Sequence, residues 1–317
     1  MEEAIKNFGK QFEYIPEIIN KESLKSYKDI VVLGMGGSHL ASGIANTINP
    51  DLNINIHRDY GLPKTTSECL IIASSYSGNT EEVIDGLNLA ISKGLNTSVI
   101  SVGGKLIEMA KEHNLPYIQI PNIGIQPRSA LGFSLVALAH LLNDSKLLLE
   151  IESIKGKINP ENFKEEGKKL SEDIRNSVPI VYSSRRNLSI AYNWKIKLNE
   201  TGKIPAFYNI FPELNHNEMT GFDINSQNKA LSEKFVIIFL TDKDDHSQIQ
   251  KRMNITKKLY EERGIRTIMR NLEGSTPSEK IFSSLILADW TAFYTAELYG
   301  SEANEVPMVE EFKKLVG

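Results

Sequence analysis

Ile71-Ile72-Ala73-Ser74-Ser75-Tyr76-Ser77-Gly78-Asn79-Thr80-Glu81-Glu82 passes from an apolar run, through a hydroxyl-rich loop with one glycine, into a helical pattern over 79–93. That is the strand–loop–helix order of a parallel sheet. It sets Ser75, Ser77 and Thr80 around a helix N-terminus, where unbonded N–H groups and the positive end of the dipole attract an anion. Capping by Asn79 or Thr80, with Glu82 in the first turn, is the plainer use of such residues, but a cap needs a single oxygen. Three hydroxyls and Gly78 exceed that need. Neutral hydroxyls suit a small phosphate ester that must be held and released, so the loop predicts a site for a phosphorylated small molecule.

The same alternation extends outward. Short apolar runs at Ile30–Leu33, Ile54–His57, Leu70–Ala73, Thr97–Val102 and Tyr117–Ile120 are separated or followed by helical patterns over 38–48, 79–93, 105–113 and 128–149. Residues 1–27 read as one or two short amphipathic helices, and the polar stretch 150–165, with Gly156, Asn159 and Pro160, as a boundary. Strands then resume at Ile180–Tyr182, Ala206–Tyr208, Phe235–Leu240 and Arg266–Arg270, with helices over 162–176, 188–201, 245–263 and 277–299 and a last one at Val309–Val316. Val and Ile on both faces of the strands predict an α/β fold of two domains, 1–150 and 151–317. Each is a parallel sheet flanked by helices on both faces. The halves read as two copies of one architecture, although their sequences barely match.

Composition narrows the function. The chain has 317 residues, 41% hydrophobic and 24% charged, the profile of an ordinary globular protein. A net charge of −4 supplies no bulk basic field for nucleic acid or anionic membrane. The single cysteine, Cys69, excludes an intrachain disulfide framework and a cysteine-based zinc cluster. The acidic start Met1-Glu2-Glu3-Ala4 lacks a leading apolar block, and no apolar run approaches membrane-spanning length, so a cytoplasmic protein is expected.

Several other clusters carry chemistry. Val31-Val32-Leu33-Gly34-Met35-Gly36-Gly37-Ser38-His39 leads a strand into a glycine-rich turn. His39 stands where a dinucleotide fingerprint has its third glycine, and a ligand-free tight turn fits equally well. Pro127-Arg128-Ser129 opens an apolar helix, so Arg128 is either a surface arginine or an anion contact at the sheet edge. Glu200 falls in the last turn of a helix, just before Gly202, where the dipole raises the proton affinity of a carboxylate. That suits a base working near neutrality, although an exposed glutamate at a frayed end is the default for an isolated case. Phe211-Pro212-Glu213-Leu214-Asn215-His216-Asn217-Glu218 lacks a second histidine and the spacing of a zinc site, which favours His216 as a metal-free acid or base. Lys313 and Lys314 near the C-terminus complement a helix dipole, and physics alone takes them no further.

Together, Gly36-Gly37-Ser38, Ser75-x-Ser77-x-x-Thr80 and Pro127-Arg128-Ser129 resemble a sugar isomerase (SIS) domain. Asn199-Glu200 followed by Pro212-Glu213-Leu214-Asn215-His216-Asn217-Glu218 is similar to the bifunctional phosphoglucose/phosphomannose isomerase family, and the likeness runs across nearly the whole chain. The resemblance implies two SIS-type domains and a homodimer with shared active sites, without metal or other cofactor. It implies interconversion of glucose 6-phosphate or mannose 6-phosphate with fructose 6-phosphate through a cis-enediolate. By the same resemblance Gly36, Gly37, Ser38, Ser75, Ser77 and Thr80 hold the sugar phosphate, and Arg128 steadies the enediolate. Glu200 shuttles the proton between C1 and C2, His216 assists ring opening from the partner subunit, and Lys313 matches the C-terminal family lysine, with Lys314 adjacent. Val306 lacks the hydroxyl related enzymes carry there, which bears on the balance of glucose and mannose activity. Rival readings are another SIS enzyme, such as an amino-sugar phosphate isomerase or deaminase, and a non-catalytic sugar-phosphate sensor. A sensor would not need Glu200, His216 and Lys313 together, and the first 27 residues are short for a DNA-binding segment.

Overall fold

The computed structural model describes residues 1–25, 27–64 and 68–316. Strand β1 (Asp29–Leu33) buries its last four residues, and β3 (Cys69–Ser74) is buried throughout. Strands covered on both faces belong to a parallel sheet under two helix layers. With β2 (Ile54–His57), β4 (Thr97–Ser101) and β5 (Tyr117–Gln119) they form one parallel sheet of order β2-β1-β3-β4-β5. Leu33 pairs with His57 on one side and Ala73 on the other. Alternation along the strands sorts the helices. Val31, Leu33, Ile71, Ala73 and Val99 pack with α2 (Glu81–Ser92) and α3 (Gly104–Glu112). Helix α1 (Leu40–Ile48) packs on β2 and on α4 (Leu131–Leu142), which is followed by α5 (Ser145–Ile154). The chain steps one way from β1 to β2 and the other from β3 to β5. Right-handed crossovers therefore place the helices on opposite faces and open a crevice beyond the C-terminal ends of β1 and β3.

Beyond α6 (Lys164–Asp173), a second parallel sheet contains β6 (Val178–Ser184), β7 (Phe207–Phe211), β8 (Phe235–Thr241) and β9 (Arg266–Asn271) in the order β7-β6-β8-β9. This repeats β2-β1-β3-β4. One face is an aromatic core of Tyr182, Phe211, Phe239, Phe222 and Tyr260 against α8 (Ser247–Glu262), and α7 (Leu188–Glu200) packs on β6 and β7. Helices α9 (Pro277–Leu298) and α10 (Pro307–Val316) end the chain. By their internal contacts the residues separate into an N-terminal unit, Lys6–Asn159 with Thr276–Ser278, and a C-terminal unit, Met1–Ile5, Pro160–Ser275 and Glu279–Gly317.

Two expectations need correction. The helix expected over 128–149 is two helices: Asn143 turns left-handed (φ 49°), and Asp144 caps α5 by accepting from the Leu147 N–H at 2.8 Å. At the N-terminus, only Glu2–Lys6 is α-helical, and Phe8–Glu13 and Lys21–Ser23 are 3-10 turns.

Candidate active site

In the N-terminal unit the loops after β1, β3 and β5 converge at the crevice. Gly36–His39 forms a 3-10 turn, and a Cβ on Gly37 would lie 2.7 Å from the Arg128 backbone nitrogen. The missing side chain is what lets the Pro127–Ser129 turn close against it. Arg128 is 1% exposed, so the surface alternative for this residue does not hold. Gln11 fixes its turn, donating to the Ser129 carbonyl at 2.7 Å and accepting from the Phe133 N–H at 3.2 Å. Ser38 joins two loops: its Oγ accepts from the Tyr76 N–H (2.8 Å), and its carbonyl accepts from Ser74 Oγ (3.0 Å).

The hydroxyls of the Ser75–Thr80 loop divide their work. Ser75, buried, accepts from the Gly78 N–H at 3.2 Å and hydrogen-bonds Thr80 Oγ1 at 2.7 Å, which gives the loop its shape. Thr80 stands at the N-cap of α2 but makes no side-chain cap, and Asn79 reaches instead to the Lys105 N–H at the start of α3 (3.0 Å). The capping alternative is thus not realised by either side chain. Ser77 is exposed and accepts from the Asn79 N–H at 3.2 Å. His39 is buried behind the turn. Burial, then the nearby Arg58 charge, push its pKa down to about 4 against an opposing hydrogen bond with the Gly36 backbone, so it stays neutral.

In the C-terminal unit Glu200 is the last residue of α7 and is half-buried. Helix α7 runs back from the end of β6 to the level where β7 begins. The five residues of β7 then advance the chain by roughly 16 Å before the turn that carries His216. Glu200 and His216 of one chain therefore sit at opposite ends of that sheet.

The turn around His216 is pinned by its neighbours. Glu218 accepts from Tyr182 Oη and from Asn209 Nδ2 (2.5 Å), Asn215 donates to Thr256 Oγ1 (2.8 Å), and Asn217 donates to Glu213 (2.7 Å). His216 itself is exposed. Lys313 lies on α10, exposed and paired with Glu310 at 2.7 Å; no residue of α10 is buried. Gln11 and Tyr182 act through contacts more than thirty residues away, and nothing local in the sequence marks them, whereas Glu218 already stood in the histidine motif.

The topological counterpart of the hydroxyl loop, after β8, is chemically opposite. Asp242 and Asp245 are buried there. Lys280 donates to Asp242 at 2.7 Å and to Asp244, Ser184 donates to Asp245 at 2.7 Å, and Asn187 bridges the two carboxylates at 3.3 and 3.4 Å. Burial raises the Asp245 pKa. For Asp242, burial is outweighed by Lys280 and neighbouring hydrogen bonds, which hold it below its usual value. Among the described residues no group of three or more His, Cys, Asp or Glu could hold a metal ion, and no helix is long and apolar enough to cross a membrane.

The chain is similar to known proteins. Residues 163–316 match the family described as the bacterial phospho-glucose isomerase C-terminal SIS domain. A bifunctional phosphoglucose/phosphomannose isomerase of Aquifex aeolicus is 37% identical over 316 residues, 98% of this chain and 96% of that protein. One from Caldicellulosiruptor bescii is 32% identical over 337 aligned positions, covering 99% and 98%. The structure of tagatose-6-phosphate ketose/aldose isomerase from Escherichia coli superposes with a TM-score of 0.67 over 95% of this chain and 93% of that one, at 14% identity, a likeness of fold.

Proposed function

The chain belongs to the bifunctional phosphoglucose/phosphomannose isomerase family, and on that premise we infer that it is an aldose–ketose isomerase acting on hexose 6-phosphates. Fructose 6-phosphate is interconverted with glucose 6-phosphate and mannose 6-phosphate. The observation that carries this reading is the convergence, at one switch point, of a preshaped hydroxyl loop and the turn that carries a buried arginine, Arg128. The phosphate is assigned to Gly36, Gly37, Ser38, Ser77 and Thr80, with Ser75 holding the loop. Anchoring the ester supplies binding energy remote from the reacting carbons and fixes their orientation.

Glu200 takes the proton α to the carbonyl and returns it to the neighbouring carbon. Arg128 stabilises the negative charge of the cis-enediolate. Rotation about C2–C3 in that intermediate presents either face of C2, which admits both epimers. Because Glu200 and His216 of one chain lie at opposite ends of a sheet, a homodimer in which His216 of one subunit completes the site of the other fits the chain better than a self-sufficient monomer. Lys313 is assigned to the same site, and the chemistry so assigned uses side chains alone. We place the enzyme in the cytoplasm, in hexose phosphate metabolism.

A coupled assay starting from fructose 6-phosphate, with glucose 6-phosphate and mannose 6-phosphate read separately, tests the reading. Both products are expected. Glu200→Gln should lower kcat by about 10²–10⁴-fold while fructose 6-phosphate still binds. Near-normal turnover in that variant refutes the base. Turnover of glucosamine 6-phosphate in place of these sugars would move the chain to amino-sugar chemistry.

A further inference from the structure

We propose that Lys203 is a positioning residue that sets Glu200 and the start of α10, which carries Lys313, by one ammonium held between two backbone carbonyls. The proposal rests on Glu200 being the base. Lys203 Nζ donates to the Glu200 carbonyl at 2.6 Å and to the Glu305 carbonyl. The first is the last residue of α7. The second stands two residues before α10. Both carbonyls belong to chain segments that carry a residue assigned to the reaction.

The backbone around Lys203 is built for this. Thr201 and Gly202 both donate to the Lys197 carbonyl, at 2.9 and 3.0 Å, so α7 closes with a tight turn. A Cβ on Gly202 would stand 2.8 Å from the Leu198 carbonyl oxygen. Lys203 then takes φ 57°, in the left-handed region a lysine seldom occupies. Asn199 seals the far side by donating to the Ile204 and Ala206 carbonyls at 3.0 and 3.3 Å. The strain of a left-handed lysine persists where surrounding contacts impose it. Here it directs a half-buried ammonium back over the helix end.

A cation at that position offsets the negative pole of α7 and gives orphan terminal carbonyls a donor. The Glu200 side chain hangs from the same residue whose carbonyl Lys203 grips. The point from which its carboxylate reaches out is therefore held in place. Misplacing a catalytic group by an ångström costs about 10²-fold in rate.

The test compares Lys203→Asn, Lys203→Arg, Glu200→Gln and the Lys203→Asn/Glu200→Gln double variant in the fructose 6-phosphate assay. Asparagine tolerates the left-handed backbone, so Lys203→Asn removes the ammonium and keeps the turn. Its kcat should fall by about 10²-fold with KM unchanged, and Lys203→Arg should restore most of it. In the Glu200→Gln background, Lys203→Asn should cost far less than about 10²-fold, because the larger part of its effect runs through the carboxylate and only the part carried by α10 remains. Wild-type kcat in Lys203→Asn, with Glu200→Gln inactive, overturns the proposal alone. Multiplying losses in the double variant, or a Lys203→Asn chain that does not fold, make Lys203 a stability element and also overturn it. Full turnover in Glu200→Gln refutes the base assignment and this proposal with it.

Discussion

Gly78→Ala puts the hydroxyl loop under a defined load. The native residue has φ 75°, and an added Cβ would stand 1.8 Å from the Gly103 carbonyl oxygen and 2.8 Å from Ser101 Oγ. Left-handed backbone costs an alanine about 1–2 kcal/mol. Relieving the contact with Gly103 requires the loop to shift by more than 1 Å. That breaks the Gly78 N–H bond to Ser75 and the Leu106 N–H bond to the Gly78 carbonyl (3.0 Å), at about 1 kcal/mol each. The sum is about 3–4 kcal/mol, or about 10 °C in Tm for a domain of this size. Gly94→Ala is the matched control: φ is 63°, and nothing lies within 4 Å of the added carbon, so only the left-handed cost of about 1–2 kcal/mol applies. Thermal melts of both variants, with KM for fructose 6-phosphate measured alongside, separate the two contributions. Gly78→Ala should melt well below Gly94→Ala and bind the sugar phosphate more weakly. Equal melting temperatures, or an unchanged KM in Gly78→Ala, refute the reasoning that this loop is preshaped for the ester.

If His216 serves the partner's site, mixing inactive Glu200→Gln and His216→Ala proteins under conditions of subunit exchange should return about a quarter of wild-type activity, since half the dimers then hold one intact site. No recovery after verified exchange counts against the shared site. His39 gives a pH signature: its folded pKa of about 4 lies below the ordinary 6.5, so the unfolded chain takes up the proton first as pH falls. Its contribution is full above pH 6.5 and lost progressively down to about pH 4. That amounts to about 3 kcal/mol at about 1.4 kcal/mol for each pH unit between those values. Melting temperatures of the wild type should fall across that window, and His39→Gln should flatten the slope; identical slopes would reject the assignment.

The strands were legible because burial on both faces leaves runs of Val, Ile and Leu that little else explains, and Ile54–His57 needed no adjustment. The place of Glu200 was legible because Gly202 marks a helix end. What stayed hidden depends on distant partners. Arg128 reads locally as a surface arginine, and only the backbone approach permitted by Gly37 and the hold of Gln11 show it buried. Capping was the plainer alternative for Thr80 and Asn79, but Ser75 and the start of α3 claim their oxygens first. The break at Asn143 did leave a local trace, an Asn-Asp pair suited to a left-handed turn and a cap, which the continuous apolar pattern on either side masked.

The salt-bridged aspartates beyond β8 have a consequence for how the enzyme saturates. The fold is duplicated, yet the second crevice already contains its own cation and repels any incoming ester with two carboxylates. Titration should therefore give one independent class of hexose phosphate per polypeptide. Excess substrate should meet no weaker second berth, so the velocity curve should stay hyperbolic at high concentration instead of turning down.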